Sequence, residues 1–258
     1  MRDIIKSIAV IFAGGVGNRM RSKDIPKQFL VIHDKPIIIH TLEHFQRCKD
    51  IDAIVIACVE DYIEKMRRLT ETYGINKVKR IVAGGITGQQ SIYNGLVAAK
   101  EISSDSNPVV LIHDGVRPLI NEKVISENIE SVKQYGSCIT AGIVKETIVE
   151  IDDDGNILNV PQRKNSRVAK APQSFYLDDI LSAHQKAMSE NRFDFILNTA
   201  EYFFCLLLVA NAGNNARLRT IAYYIIYKRL AYKPRRACDK NLFSVKPSVI
   251  HYSPSPYI

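Results

Sequence analysis

Apolar and polar residues fall in blocks along the first three-quarters of the chain, and the period of each block predicts its element. Ile8–Phe12 is an unbroken apolar run rich in β-branched residues, the pattern of a parallel strand buried on both faces. Lys35-Pro36 leads into Ile37–Phe45, where Ile38, Leu42 and Phe45 recur at helical spacing. Ile51–Val59 reads as a second buried strand. Tyr62–Tyr73 reads as an amphipathic helix with Lys65, Arg67 and Arg68 on its wet side. Lys79–Ala83 is a third strand ending at Gly84-Gly85, and Ser91–Ile102 a helix. Pro108–His113 is a fourth strand ending at Asp114-Gly115; Glu122–Tyr135 is helical and Ser137–Val144 a strand. Strands alternating with helices predict an α/β architecture on a parallel sheet. Between Ile139 and Ala171 the pattern changes. Thr147–Ile151, a turn at Asp152–Asn156, and Ile157–Val160 predict a hairpin projecting from the sheet, before a helix at Leu177–Met188.

In a parallel sheet, ligands sit outside the carboxyl ends of the strands. Glycines or polar residues stand at three such ends, Gly14–Gly17, Gly84–Ser91 and Asp114–Arg117, so these turns are expected to line one crevice. The first is the richest. Gly14, Gly15 and Gly17 follow a strand at once, and Arg19, Lys23 and Lys27 place three cations beyond them. Such a turn suits phosphate. The dinucleotide fingerprint fails at Met20, and no Gly-Lys-Ser/Thr follows for a Walker loop. A turn that merely needs glycine competes with a nucleotide site, and Arg19 with Pro26-Lys27-Gln28 favours the site. Plainer roles stand beside the other candidates. Asp114 after a strand suits a helix N-cap. His113 is read as packed, Arg117 as one half of a surface ion pair, Lys23 as solvated, and Thr147 as an ordinary strand threonine. Asp152–Asp154 are solvated turn residues rather than a metal cluster.

Composition narrows the class. The chain has 258 residues, 46% hydrophobic and 24% charged, which suits a globular protein with a full core. Met1-Arg2-Asp3 runs straight into a strand, so no signal peptide is expected, and the longest apolar run, Tyr202–Ala210, falls well short of the ~20 residues that span a bilayer. Five cysteines, widely spaced and without a Cys-x-x-Cys pair, predict reduced thiols in the cytoplasm rather than disulfides or zinc. The net charge of +8 hints at nucleic acid until it is located. Residues 196–258 hold nine of the 35 Lys+Arg and two of the 27 Asp+Glu, which leaves the body nearly neutral. A broad basic face for nucleic acid is therefore not expected.

Six motifs occur in a fixed order: Phe12-Ala13-Gly14-Gly15-x-Gly17-x-Arg19-Met20 with Pro26-Lys27-Gln28; Gly84-Gly85 with Ser91; His113-Asp114-Gly115-Val116-Arg117-Pro118; Glu146-Thr147; Arg163; and Pro172-Gln173-Ser174-Phe175. Over about residues 5–195 the chain resembles the cytidylyltransferases that activate polyol phosphates. One branch acts on ribitol 5-phosphate and the other on 2-C-methyl-D-erythritol 4-phosphate. Pro26–Leu30, Lys35–Thr41 and Ser91–Leu96 look closer to the ribitol branch. The resemblance implies a Rossmann-like nucleotidyltransferase fold, with a mostly parallel sheet flanked by helices. It places a hairpin arm at about 138–170 within a domain of residues 1–230, followed by an atypical tail at 231–258.

The implied reaction is attack of the acceptor phosphate on the α-phosphorus of CTP, with pyrophosphate leaving. Such a transfer needs positioning and charge neutralisation more than covalent help. By resemblance, Arg19 and Lys27 contact the triphosphate and stabilise the transition state beside Mg²⁺. Phe12, Ala13, Gly14 and Gly15, with Gly85, Ile86, Thr87, Gly88, Gln89, Gln90 and Ser91, hold the nucleotide, Ser91 near the base and Gly115 against it. Asp114 lies near ribose, acceptor and metal; Thr147 and Arg163 bind the acceptor phosphate. The arm implies a homodimer with shared sites.

Two departures stand out. Where the family carries an arginine three residues after the second glycine of its loop, this chain has Gly88. The family's closing Asn-Ile-Lys-Ile-Thr segment, whose lysine grips the acceptor phosphate, is replaced after Phe193-Asp194-Phe195 by an apolar stretch, and Arg219 is the nearest counterpart of the lysine. Seven of the twelve tyrosines lie beyond residue 195. That quarter reads as diverged or as a frameshifted ending, and Ser244–Ile258 lacks periodicity and reads as a disordered tail. Two rival functions remain: a nucleotidyltransferase acting on a sugar 1-phosphate, and a defective homologue that binds nucleotide without turnover.

Overall fold

The structure, a computed structural model, describes residues 5–14, 25–103, 107–189 and 249–251. Among them the strands are β1 (Ser7–Ala13), β2 (Val31–Ile32), β3 (Lys35–Pro36), β4 (Ala53–Cys58), β5 (Val78–Ala83), β6 (Val109–Asp114), β7 (Ser137–Ile143), β8 (Glu150–Ile151), β9 (Ile157–Asn159), β10 (Arg167–Tyr176) and β11 (Val249–His251). The helices are α1 (Ile37–Arg47), α2 (Ile63–Thr72), α3 (Gly88–Ser103), α4 (Glu122–Tyr135) and α5 (Leu177–Ser189).

Seven strands form one sheet in the order β11-β7-β10-β6-β1-β4-β5. The pairs β5–β4, β4–β1, β1–β6 and β7–β11 are parallel, and β10 runs antiparallel between β6 and β7. The sheet is therefore mostly parallel with helices on both faces. The alternation along β1 explains its unbroken apolar run. Ala9, Ile11 and Ala13 face a layer with Ile38, Leu42 and Phe45 of α1, Met66 of α2 and Ile125 and Val132 of α4. Ile8 and Val10 face the opposite layer, with Ile92 and Leu96 of α3 and Leu177 and Ile180 of α5. Both sets are buried, so the strand reads as an apolar run from Ile8 onward.

The local signals behind these elements are physical. Asn121 caps α4 by accepting a hydrogen bond from the Val124 amide at 3.0 Å, and Gly136 closes it in the left-handed region at φ 86°. Pro36 precedes α1 and leaves Ile38, Ile39, Leu42 and Phe45 on one buried stripe.

Two differences from the expected pattern stand out. The stretch expected to lead from the hairpin into the last helix contains β10, whose outer half, Arg167–Lys170, is exposed and whose Pro172–Phe175 is buried. Pro172 cannot donate to a ladder, and the register with β7 shifts between Ala169 and Gln173, where a proline is tolerated. Its inner half is fixed by polar groups: Asn128 on α4 donates to Thr140 Oγ1 of β7 at 2.9 Å and accepts from Ser174 Oγ of β10 at 3.0 Å. The second difference lies in the tail, expected without regular structure, where Val249–His251 pairs in parallel with β7 from Ile139 to Ala141. Two consecutive β-branched residues beside a free sheet edge favour that pairing.

Two buried histidines set the acid limit of this core. His113 on β6 stacks at a tilt on Phe45 at 5.2 Å, and burial pushes its pKa down to about 4. His184 on α5 lies against Tyr93, and burial pushes its pKa down to about 3. Both take up protons more readily when unfolded, so their stabilisation is complete above about pH 6.5 and is lost as pH falls toward these folded values. Each is expected to withdraw about 2 kcal/mol of stability between pH 7.5 and pH 5. Urea unfolding at the two pH values checks this, and equal midpoints would contradict it.

Candidate active site

The site starts from strand ends that stop inside the molecule. β1 lies between β4 and β6, the point at which strand order reverses, and the carboxyl ends of β1, β4, β5 and β6 open on the same side of the sheet. The last carbonyls of β1 are taken up from both sides. Phe12 O accepts from the Gly115 amide at 3.0 Å, and Ala13 O accepts from Gln28 Nε2 at 2.7 Å. Thr41 on α1 donates in turn to Gly115 O at 2.9 Å. A Cβ at Gly115 would press on Ile38 Cδ1, so glycine lets this loop lie on the end of β1 without moving that side chain.

The second wall is the loop between β5 and α3. Ser91, in the first turn of α3 and 1% exposed, is turned into that loop: its hydroxyl accepts from the Gly85 amide at 3.0 Å and donates to Thr87 O at 3.0 Å. A Cβ at Gly14 would stand 2.7 Å from Ser91 Oγ and one at Gly84 2.9 Å from it, so glycine on both strand ends lets them close over this serine. The Gly84 amide donates to Cys58 O at 2.6 Å and joins the loop to β4. Thr87 Oγ1 accepts from the Gln90 amide at 3.1 Å, while Gln90 Oε1 accepts from the Ile86 amide at 3.1 Å. This reciprocal cap starts α3 at Gly88, three residues before the expected Ser91; the Thr-x-x-Gln spacing was the signal for it. Ile86 is fully exposed, Gln89 is half-buried, and the space beside Gly88 is open. The dipole at the start of a helix favours an anion.

The third wall carries the acid. Asp114 closes β6, with its side chain 22% exposed; Oδ1 accepts from the Val116 amide at 3.2 Å and Oδ2 pairs with Arg117 Nε at 3.3 Å. No helix starts there, so Asp114 caps a turn instead of a helix, and the ion pair expected of Arg117 is made with this carboxylate. His113 is packed as expected, with Nε2 donating to Arg117 O at 3.1 Å.

Lys27 stands half-buried at the head of a short 3-10 turn, Lys27–Phe29, whose next residue is the fully buried Gln28. On the arm, Arg163 donates from Nη2 to Thr147 Oγ1 at 3.2 Å, sixteen residues back along the chain. The arm leaves from the carboxyl end of β7, the same edge of the sheet as the crevice. Asp152 spends its carboxylate on its own turn, accepting from the amides of Asp154 at 3.1 Å and Asn156 at 2.8 Å. Among the described residues no group of three or more His, Cys, Asp or Glu could hold a metal ion. Gly15, Gly17, Arg19, Lys23 and Arg219 lie outside the described residues.

Known proteins resemble this chain in sequence and in fold. The model of the family described as IspD, 2-C-methyl-D-erythritol 4-phosphate cytidylyltransferase, matches residues 7–195. The chain belongs to the IspD family of cytidylyltransferases. The matched span ends at residue 195, where the sequence pattern itself departs. Ribitol-5-phosphate cytidylyltransferase of Streptococcus agalactiae serotype V is 48% identical over 227 residues, 87% of this chain and 94% of that protein. The 2-C-methyl-D-erythritol 4-phosphate cytidylyltransferase of Clostridium botulinum strain 657 is 40% identical over 187 residues, 72% of this chain and 80% of that one. The crystal structure of 4-diphosphocytidyl-2C-methyl-D-erythritol synthase from Anaerococcus prevotii superposes with a TM-score of 0.65 at 27% identity, covering 77% of this chain and 81% of that chain. The α/β nucleotidyltransferase fold expected from the sequence is the fold observed. Among the described residues, no helix of this family member is long and apolar enough to cross a membrane.

The loop of Gly84–Gly88 depends on one hydroxyl. Ser91→Ala removes the acceptor of the Gly85 amide, and that amide is expected to exchange about tenfold faster, the equivalent of one net hydrogen bond. Hydrogen exchange at Gly85 with an unchanged rate would show that the hydroxyl does not hold the loop.

Proposed function

We propose that this chain transfers the cytidylyl group of CTP to ribitol 5-phosphate, giving CDP-ribitol and pyrophosphate. The observation that carries the reading is the convergence of Gly14, the Gly84–Gly88 loop and Asp114 on the carboxyl ends of neighbouring strands. The choice of acceptor is supported by relatives: 48% identity over 87% of the chain to a ribitol-5-phosphate enzyme, against 40% over 72% to a methylerythritol-phosphate enzyme.

In this reading an oxygen of the acceptor phosphate forms a bond to the α-phosphorus of CTP as the bridge to the β-phosphorus breaks, and the electron pair leaves with pyrophosphate. Lys27 and Arg19 neutralise charge spreading over the phosphate oxygens. The first amides of α3 add a fixed dipole, and the glycines admit the nucleotide against backbone. Thr147 and Arg163, already bonded to each other, hold the acceptor phosphate, and Arg219 supplies a further cation to it.

The donor set fits Mg²⁺. One partly exposed carboxylate, Asp114, suits an ion that takes one or two carboxylates and completes its shell with substrate phosphates and water. Asp114 would hold the ion, which when bound supplies charge neutralisation at the phosphates. A second copy of the chain completes the arm: Ile151, Ile157, Leu158 and Val160 are each at least half exposed on it, and apolar area of that kind favours burial against a partner. A cytoplasmic location fits the buried thiols Cys48 and Cys58, neither of them in a disulfide.

Pyrophosphate release from the four nucleoside triphosphates, with ribitol 5-phosphate or methylerythritol phosphate as acceptor, tests the reading. Preference for CTP with ribitol 5-phosphate is expected. Preference for UTP or GTP overturns the cytidylyl reading, preference for methylerythritol phosphate overturns the acceptor, and CTP binding without turnover leaves a defective homologue. Lys27→Ala is expected to cost about 3–4 kcal/mol of transition-state stabilisation, roughly 10²–10³-fold in kcat. A change within a few-fold would remove Lys27 from the mechanism. Gly88→Arg enters open space and adds a cation where the family carries one, so KM for CTP is expected to fall several-fold with melting temperature unchanged; an unchanged KM would place that arginine's contact elsewhere.

A further inference from the structure

We infer that Gln28 is a positioning residue, a tether that fixes Lys27 against the end of β1, and this rests on the cytidylyl-transfer reading. Gln28 is fully buried. Its Nε2 donates to Ala13 O at 2.7 Å, the last carbonyl of β1, fifteen residues back along the chain. Its Oε1 is buried with no hydrogen-bond partner among the described residues. A carboxamide left half satisfied costs stability, and an apolar residue of similar size would avoid that cost. The group therefore acts through its one bond, which joins the segment carrying the cation to the strand end carrying the glycines.

The turn has no other polar side-chain bond to β1 among the described residues. Its own backbone bonds are local, from Phe29 N to Pro26 O at 2.9 Å and from Leu30 N to Lys27 O at 3.2 Å. Phe29 is buried in the core layer of α1 and α2, stacked on Tyr62 at 5.1 Å with Lys65 Nζ 4.6 Å from its ring. Phe29 thus holds the turn to α2, and Gln28 holds it to the site. A misplacement of about 1 Å at a charge that acts in the transition state is enough to cost rate without costing binding. The effect belongs in kcat, with KM for CTP little changed.

Two variants separate positioning from packing. Gln28→Met keeps the volume and removes the donor. Gln28→Glu keeps the shape and replaces the donor with a carboxyl that can donate to Ala13 O only while protonated; burial raises the pKa of such a carboxyl into a measurable range. In the full-length chain with CTP, Mg²⁺ and ribitol 5-phosphate, Gln28→Met is expected to lower kcat about tenfold at every pH, the equivalent of one net hydrogen bond. Gln28→Glu is expected to match it at pH 8 and to approach wild type as pH falls to 5.5. Wild-type kcat in Gln28→Met, or parallel pH profiles for the two variants, overturns the proposal. If Gln28→Met fails to fold, the profile of Gln28→Glu decides alone, recovery supporting the tether and a flat defect rejecting it. Amide exchange at Phe29 and Leu30 reads the tether without turnover: faster exchange in Gln28→Met is expected, and unchanged exchange rejects it. A wild-type chain without cytidylyl transfer therefore counts against the function while the exchange rates still judge the tether.

Discussion

Backbone carbonyls that end inside a protein must find donors, and this site is organised by two of them. The last residues of β1 are largely buried, and Phe12 O and Ala13 O are satisfied by protein donors. They recruit the Gly115 amide from one side and the Gln28 carboxamide from the other, which draws the loop after β6 and the turn of Lys27 onto the same strand end. Gly14 then meets Ser91, and Ser91 holds the Gly85 amide. Four segments distant in sequence are thus brought together largely by the need to leave no polar backbone group unpaired at the end of one strand.

The fold was legible to the extent that burial imposes a period. β1, β4 and β6 are buried on both faces and read as apolar runs, and α1, α2, α4 and α5 fall within a few residues of their expected limits. β10 was not legible. Its exposed half carries Arg167 and Lys170, its buried half opens with a proline, and the hydrogen bonds that hold Ser174 come from α4 and have no local signature. The start of α3 was not legible for another reason: its cap sits in a glycine-rich loop whose side chains suit a ligand as well as a helix start.

The site was legible as a set of turns and not as a set of contacts. Spacing placed Gly14, Gly84 and Asp114 at strand ends, which is a property of topology. That Ser91 bonds inward to the loop, that Thr41 holds Gly115, and that Asp114 caps its own turn depend on side chains meeting across the sheet. The motif Pro26-Lys27-Gln28 was recognised without distinguishing its members, because only the structure shows a cation half in solvent beside an amide wholly out of it.

The arm differs in kind from the cradle. Among the described residues Glu150–Ile151 and Ile157–Asn159 pair only with each other, and Asp152 satisfies its turn from within. Its attachment to the domain is a pair of strands, β7 and β10, fixed to α4 through Asn128. Residues such as Thr147 and Arg163 therefore stand outside the core that keeps β1 and its neighbours folded. Under the proposed roles of Thr147 and Arg163, acceptor preference can drift by substitutions on the arm while the strand ends around β1 and the stability of the domain stay as they are. A family whose members divide between two polyol phosphates on one scaffold has in this division of labour a physical basis for the split.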